Sequence, residues 1–228
     1  MTTATTSKRP TTQDERDLLL YESRLQRPVR MKTPEFERNG RLRHVIFSGQ
    51  FTVPFLEELA GIADMIRMLS KSRAGQDFLI NLLRHRRSML YFTQPSTRTF
   101  LSFMAACQIL GITCNEVRDP STSSETKGET RFDSIRMFSS YFDIIIMRSK
   151  IPNFAECCAY LMNDLEDFNQ RDVPIINGGA GADENAQRGE LAFDIDEFAG
   201  CKIAAFYDRA QPFDDMRLRR DRITANHL

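Results

Sequence analysis

The chain has 228 residues, of which 41% are hydrophobic and 27% are charged, as in an ordinary globular protein. Its 31 lysines and arginines equal its 31 aspartates and glutamates, and this zero formal net charge argues against a nucleic-acid partner. No apolar run approaches the roughly 18 residues of a membrane-spanning helix, so no membrane partner is expected. Residues 1–13 lack the apolar core of a secretory signal, which favours a cytoplasmic protein, with a Thr-rich transit peptide as the weaker alternative.

The cysteines and histidines give no sign of a metal centre. The five cysteines are odd in number and form no Cys-x-x-Cys pair, and the three histidines are scattered along the chain. Without a secretory signal, reduced thiols are the default interpretation. Because no paired histidine or cysteine spacing is present, a metal site has little support.

Residues 1–41 are polar and charged, and three prolines interrupt any long element. This composition predicts a charged, disordered tail with a short helix around residues 18–25.

From residue 42 onward, short apolar runs alternate with segments of helical periodicity. Helices are expected near residues 55–70, 78–83, 100–110, 132–142 and 154–165. Strands are expected at residues 89–92, 112–117, 144–147 and 173–177. This alternation predicts an α/β domain with a parallel four-stranded sheet flanked by helices. Ligands of such sheets bind beyond the carboxyl ends of the strands, here in the loops that begin near Thr93, Arg148 and Gly178.

The pattern weakens after Asp183. One more apolar strand is expected at residues 202–207, and residues 209–228 are rich in arginine and aspartate. These segments are too short for a second domain. The predicted organisation is therefore a tail at residues 1–41, a ligand-binding domain at 42–190, and a short strand with a charged tail at 191–228.

A Ser-Thr-Arg-Thr segment at residues 96–99 lies between a predicted strand and a predicted helix. Unpaired N–H groups and the partial positive charge of a helix amino end attract anions such as phosphate. Hydroxyl groups and the Arg98 guanidinium would add donors suited to phosphate oxygens. Ordinary helix capping by serine or threonine is the competing interpretation.

Residues 96–99, followed by Ser102 and Phe103, resemble the carbamoyl-phosphate signature of aspartate and ornithine transcarbamoylases. Residues 123–130 resemble the mobile loop of the aspartate enzymes, and residues 139–148 resemble their third strand with its terminal arginine. The Lys-Gly-Glu in the loop favours the aspartate branch. The resemblance covers roughly residues 42–207 and implies the amino-terminal transcarbamoylase domain.

In this family the amine of aspartate attacks the carbonyl carbon of carbamoyl phosphate and phosphate leaves, without metal or organic cofactor, in pyrimidine biosynthesis. The resemblance implies that carbamoyl phosphate is held by Ser96, Thr97, Arg98, Thr99 and Arg148. Thr99 and Arg148 would also polarise the carbonyl oxygen. Ser123 and Lys127 would reach the site of a neighbouring subunit in a trimer. A solvated Lys127 and an Arg148 paired with a carboxylate are the competing interpretations.

The sequence departs from the family pattern at several positions. The histidine that donates to the carbonyl oxygen is replaced by Asn185, and a glutamine that binds the carbamoyl amine is replaced by Arg188. A glutamate and an arginine that help to join the two domains are replaced by Gln94 and Phe100. The aspartate-binding second domain is expected to be largely absent. Weak or absent catalysis by the lone chain follows, with Thr99, Arg148 and Asn185 as the remaining catalytic set.

Three hypotheses result. The first is an aspartate transcarbamoylase-like protein that binds carbamoyl phosphate as a homotrimer or with other pathway chains. The second is a catalytically dead homologue that acts as a scaffold or regulatory subunit. The third, a generic α/β module for another phosphorylated metabolite, is disfavoured because it would leave Lys127 and Arg148 without a role.

Overall fold

The computed structural model describes residues 12–118, 129–168 and 170–179. Eight α-helices lie in these ranges, and the amino-terminal three are short. They are α1 (Gln13–Leu20), α2 (Glu22–Leu25), α3 (Val29–Lys32), α4 (Val53–Leu69), α5 (Arg73–Leu82), α6 (Thr97–Ile109), α7 (Arg131–Tyr141) and α8 (Phe154–Asp167). None of these helices is long and apolar enough to cross a bilayer.

Six strands lie in the same part of the chain. They are β1 (Glu37–Arg38), β2 (Arg41–Leu42), β3 (Arg87–Phe92), β4 (Thr113–Val117), β5 (Ile144–Arg148) and β6 (Ile175–Asn177). The first two form a small antiparallel hairpin, and the last four form a parallel sheet in the order β4-β3-β5-β6. This sheet confirms the predicted fold class. The four strands predicted for this domain are present, with boundaries shifted by up to two residues. The additional strand predicted at residues 202–207 lies outside the described residues.

The sheet buries both of its faces, which explains why its central strands are continuous apolar runs. One face, carrying Leu90 and Ile146, packs against α4, α5 and α6. The other face, carrying Met89 and Ile145, packs against α7, α8 and aromatic side chains from the amino-terminal segment. Helices on both faces are what right-handed crossovers between parallel strands produce.

The amino-terminal segment differs from the predicted solvated tail. Residues 12–42 carry helices α1–α3 and the hairpin, and Tyr21 and Phe36 are buried against α8. Lys32 forms a buried ion pair with Glu156 on α8, with 2.8 Å between Nζ and Oε1. The average composition of this segment is polar, but a few well-placed side chains hold it to the domain. The proposed limits at residues 190 and 191 remain predictions.

His44 is fully buried where the amino-terminal segment meets β6. Its Nδ1 accepts a hydrogen bond from the Ile175 backbone N–H at 3.0 Å, so its Nε2 is the donor to Asn163 Oδ1 at 3.2 Å. Burial lowers the pKa of His44 from 6.5 to about 3. Protonation of the ring would remove the acceptor of Ile175 and place a charge in the core.

The neutral His44 makes stability sensitive to pH. The unfolded chain binds a proton on this ring near pH 6.5, whereas the folded chain binds it only near pH 3. Between these values the unfolded state holds more protons, so the free energy of unfolding decreases as pH falls, by at most about 1.4 kcal/mol per pH unit. Urea unfolding of the wild type and of His44→Asn at several pH values measures this pH dependence of the free energy of unfolding. The variant is expected to be less stable at neutral pH and to have a flatter pH dependence below 6.5, and parallel pH profiles would contradict the assignment.

Candidate functional site

The segment after β3 places the Ser-Thr-Arg-Thr residues at the amino end of α6. Ser96 is the extended N-cap residue, with φ −161° and ψ 102°, and the helix starts at Thr97. The side chain of Ser96 does not cap the helix; its Oγ donates instead to Thr99 Oγ1 at 2.9 Å. The first hydrogen bond of the helix runs from the Phe100 N–H to the Ser96 carbonyl. The capping interpretation of Ser96 is therefore not supported.

The backbone N–H groups of residues 97–99 precede that first helical bond. Among the described residues they meet no acceptor. Thr97 and Arg98 are exposed to solvent, whereas Thr99 is almost buried. The amino end of α6 therefore has unpaired backbone donors, an exposed hydroxyl and an exposed arginine.

Arg148, the last residue of β5, lies next to this helix end. It pairs in the sheet with Phe92, and its carbonyl oxygen accepts from the Gln94 N–H at 3.1 Å. The loop after β3 is thus fastened to the carboxyl end of β5. This contact brings the two predicted parts of the phosphate site, residues 96–99 and Arg148, to one edge of the sheet.

The guanidinium of Arg148 is not neutralised within the described part of the chain. Its Nη1 donates to the Gly178 carbonyl at 3.2 Å, and its Nε is buried without a partner there. No described carboxylate lies within 4.0 Å of it, so the competing interpretation of a carboxylate pair is not supported over these ranges. Burial lowers the pKa of Arg148, as expected for a cation that has lost water without gaining an anion.

The sheet order explains why the site lies here. The chain runs from β3 to β4 through α6, which covers one face of the sheet. It runs from β5 to β6, in the opposite direction, through α8 on the other face. A crevice opens between two such diverging connections, beyond the carboxyl ends of the strands. The amino end of α6 and Arg148 line this crevice from its two sides.

Two glycines after β6 complete the edge next to Arg148. A Cβ on Gly178 would lie 3.2 Å from the rings of Phe92 and Phe103. Gly179 has a φ of +127°, and a Cβ there would lie 2.1 Å from Arg148 Nη1. The positive φ favours glycine at residue 179, and a side chain there would also displace the Arg148 guanidinium from its present position. The sequence indicated the loop that begins near Gly178 as one of three places for a ligand, but it did not predict the contact of this loop with Arg148.

Gln94 is a second residue whose place in the site was not predicted. Its Oε1 is buried and has no partner among the described residues. A buried carbonyl oxygen without a donor is costly, so this atom is available to an N–H donor of a bound molecule. The sequence marked Gln94 only as the replacement of a family glutamate that helps to join the two domains, and Pro95 as the residue that keeps the loop extended.

Three predicted site residues, Ser123, Lys127 and Asn185, lie outside the described residues. In the described ranges, no cluster of three or more histidine, cysteine, aspartate or glutamate side chains is arranged to hold a metal ion. The described edge of the sheet combines one helix amino end and one guanidinium, both of which carry positive potential.

A family model described as aspartate/ornithine carbamoyltransferase, carbamoyl-P binding domain, matches residues 43–186. The chain belongs to this family. The match agrees with the position of the residues 96–99 motif and of Arg148, and it confirms the resemblance seen in the sequence. Residues 12–42, which pack against α8, precede the matched region.

Relatives and solved structures agree with this assignment. The aspartate carbamoyltransferase catalytic subunit of Thermoplasma acidophilum is 35% identical over 144 residues, which are 63% of this chain and 43% of that protein. The Parabacteroides distasonis catalytic subunit is 37% identical over 123 residues, 54% of this chain and 37% of that protein. Aspartate transcarbamoylase from Trypanosoma cruzi in complex with carbamoyl phosphate superimposes with a TM-score of 0.52 and 29% identity, over 62% of this chain and 42% of that one. The chain matches about two fifths of the length of each of these proteins.

Proposed function

We propose that this domain binds carbamoyl phosphate between the amino end of α6 and the end of β5. The phosphate oxygens accept hydrogen bonds from the N–H groups and hydroxyls of residues 96–99 and from Arg98. The carbonyl oxygen lies toward Thr99 and Arg148. Membership of the carbamoyl-P binding family and the chemistry of this edge support the same ligand.

The observation that carries the proposal is the half-buried guanidinium of Arg148, without a described carboxylate near it, at the same edge of the sheet as the unpaired N–H groups of α6. A cation taken out of water without a counter-ion costs free energy, and the helix amino end adds positive potential of the same sign. A bound anion reverses both contributions. Each charge-assisted hydrogen bond formed in this way contributes about 1.5–3 kcal/mol, so a dianionic phosphate is a fitting ligand.

We propose carbamoyl transfer to the amine of aspartate as the reaction that this site serves, in the synthesis of pyrimidines. The amine attacks the carbonyl carbon, and negative charge collects on the carbonyl oxygen before phosphate leaves. Arg148 and Thr99 stabilise that charge by hydrogen bonds that are already oriented. Ser123 and Lys127 enter from a neighbouring subunit of a homotrimer, or from another chain of the pathway.

Catalysis by this chain alone is proposed to be weak. Asn185 stands where the family has a histidine donor, and its shorter amide reaches a different point in space. Loss of one donor to a developing oxyanion costs about 10²–10³ in rate. This substitution also favours the second candidate function, a catalytically inactive homologue that serves as a scaffold or regulatory subunit. A carbamoyl-aspartate assay of the chain, alone and with aspartate carbamoyltransferase catalytic subunits, separates the two functions.

Thermal unfolding with and without carbamoyl phosphate tests the binding proposal. Ligand at 100 times its Kd should stabilise the wild type by about 2.7 kcal/mol. Arg98→Ala is expected to weaken binding by about tenfold, because it removes one charge-assisted contact from a solvent-exposed position. Inorganic phosphate, which lacks the carbamoyl group, should stabilise the wild type less at the same concentration.

Arg67→Ala is the matched control, because Arg67 is an exposed arginine on α4 whose partner, Asp64, lies on the same helix. It should respond to carbamoyl phosphate as the wild type does. No stabilisation of the wild type, or an equal stabilisation in Arg98→Ala, would count against the site.

A further inference from the structure

Two thiols and one hydroxyl group lie together between α6 and the edge of the sheet, and the hydroxyl contacts both sulfurs. Ser88 on β3 pairs in register with Cys114 on β4, and their side chains point to the face that α6 covers. Ser88 Oγ lies 3.2 Å from Cys114 Sγ and 3.6 Å from the Sγ of Cys107 on α6. The Ser88 hydroxyl therefore brings the two sulfurs into one cluster. Nothing in the anion site uses this cluster.

The two sulfurs differ in access to solvent. Cys107 is fully buried, whereas Cys114 is only partly buried because β4 is an edge strand. Donation from the Cys107 thiol and the Ser88 hydroxyl lowers the pKa of Cys114 to about 7. The same contact raises the pKa of Cys107. An accessible thiol that ionises readily beside a second, protected thiol is the usual arrangement of a redox-sensitive pair.

We propose that Cys114 and Cys107 form a reversible redox pair, in which Cys114 reacts with a low-molecular-weight disulfide such as oxidised glutathione. Cys114 is the thiol that reacts first, and Cys107 is the thiol that resolves the adduct.

The reaction proceeds in two exchange steps. The Cys114 thiolate attacks one sulfur of oxidised glutathione, so that a mixed disulfide forms and one glutathione thiolate leaves. Cys107 then loses its proton and attacks the Cys114 sulfur, which forms the intramolecular disulfide and releases the second glutathione. The protein loses two electrons and two protons, and oxidised glutathione becomes two molecules of reduced glutathione.

The disulfide would fasten the edge strand to the helix at the end of the sheet opposite the anion site. Cys107 lies in the last turns of α6 and Cys114 lies near the start of β4, whereas residues 96–99 lie at the other end of α6. Oxidation of this pair is therefore independent of carbamoyl phosphate binding, and each proposal can fail without the other.

The test is equilibration of the full-length native chain with glutathione buffers of increasing oxidised fraction, followed by alkylation and peptide mass mapping. The wild type should yield a peptide pair linked through Cys107 and Cys114, with the loss of two hydrogens, and dithiothreitol should reverse it. Cys107→Ser should stop at the mixed disulfide on Cys114, with a mass increase of one bound glutathione. The fully buried Cys157 and Cys158 serve as internal controls and should be alkylated only after unfolding.

Folding is verified by circular dichroism before each titration, and the wild-type result decides the matter if a variant does not fold. Failure to detect the Cys107–Cys114 link in the folded wild type at any glutathione ratio would overturn the proposal. An adduct on Cys107 in preference to Cys114 would overturn it as well.

Discussion

Arg148→Met is expected to abolish stabilisation by carbamoyl phosphate while leaving the ligand-free domain at least as stable as the wild type. In the ligand-free state the Arg148 guanidinium has a buried, unpaired Nε and no described carboxylate near it. Methionine replaces the aliphatic part of the side chain and removes the desolvated charge, at the cost of one hydrogen bond to the Gly178 carbonyl. A residue that is costly to the fold and necessary for the ligand is the pattern expected of a binding site.

The size of the effect follows from the number of interactions lost. Arg148 contributes both charge and a fork of donors at the end of β5, so its removal should weaken binding by about 10²-fold or more. At a ligand concentration that stabilises the wild type by about 2.7 kcal/mol, the variant should show almost no shift. Isothermal titration at several ligand concentrations measures the loss directly.

Arg171→Met is a suitable control for the loss of an arginine. Arg171 lies away from the anion site, where it donates to the Ser140 and Phe142 carbonyls and to the Asp143 carboxylate. Its removal should lower the stability of the ligand-free domain and leave the response to carbamoyl phosphate unchanged. The interpretation of Arg148 is wrong if the two variants have the same stability and the same response to carbamoyl phosphate. It is also wrong if Arg148→Met lowers the stability of the ligand-free domain but still binds carbamoyl phosphate.

The sheet and the motif could be predicted because their signals are local. Strand β5 is a continuous apolar run, and buried parallel strands leave such runs in the sequence. Residues 96–99 sit between a strand and a helix, where an anion site depends on backbone geometry that a short motif encodes. The pairing of this motif with Arg148 also follows from the topology, since both lie at carboxyl ends of adjacent strands.

The contacts that the sequence did not predict are long-range. Tyr21 and Phe36 lie in a segment whose average composition is polar, and nothing local indicates that α8 provides an apolar surface for them. The contact of Gly179 with the Arg148 side chain joins the loop after β6 to the end of β5, two segments that are distant in the sequence. Periodicity describes which face of an element is apolar, but it does not identify the partner that covers that face.

The buried ion pair of Lys32 and Glu156 makes the amino-terminal segment part of the domain. The two side chains are 7% and 3% exposed, and Lys32 Nζ also donates to the Leu25 carbonyl at 2.6 Å. Glu156 also accepts a hydrogen bond from the Tyr160 hydroxyl at 3.0 Å. These bonds compensate part of the cost of burying two charges, and they fix where α3 sits on α8.

Lys32→Met is therefore expected to destabilise the protein by about 3–5 kcal/mol, because it leaves the Glu156 carboxylate buried without its cation. Most of this loss should be recovered in Lys32→Met/Glu156→Gln, since glutamine removes the charge and keeps an acceptor for Tyr160. Urea unfolding of the two single variants and the double variant gives the coupling between the residues.

The exposed pair of Arg67 and Asp64 on α4 provides the matched comparison. Its side chains are more than half exposed, so Arg67→Ala should change the free energy of unfolding by less than about 0.5 kcal/mol. A Lys32→Met effect as small as that of Arg67→Ala would mean that residues 12–42 do not stay packed on α8 in solution. A large effect that the second substitution reverses places those residues within the cooperative unit that carries the anion site.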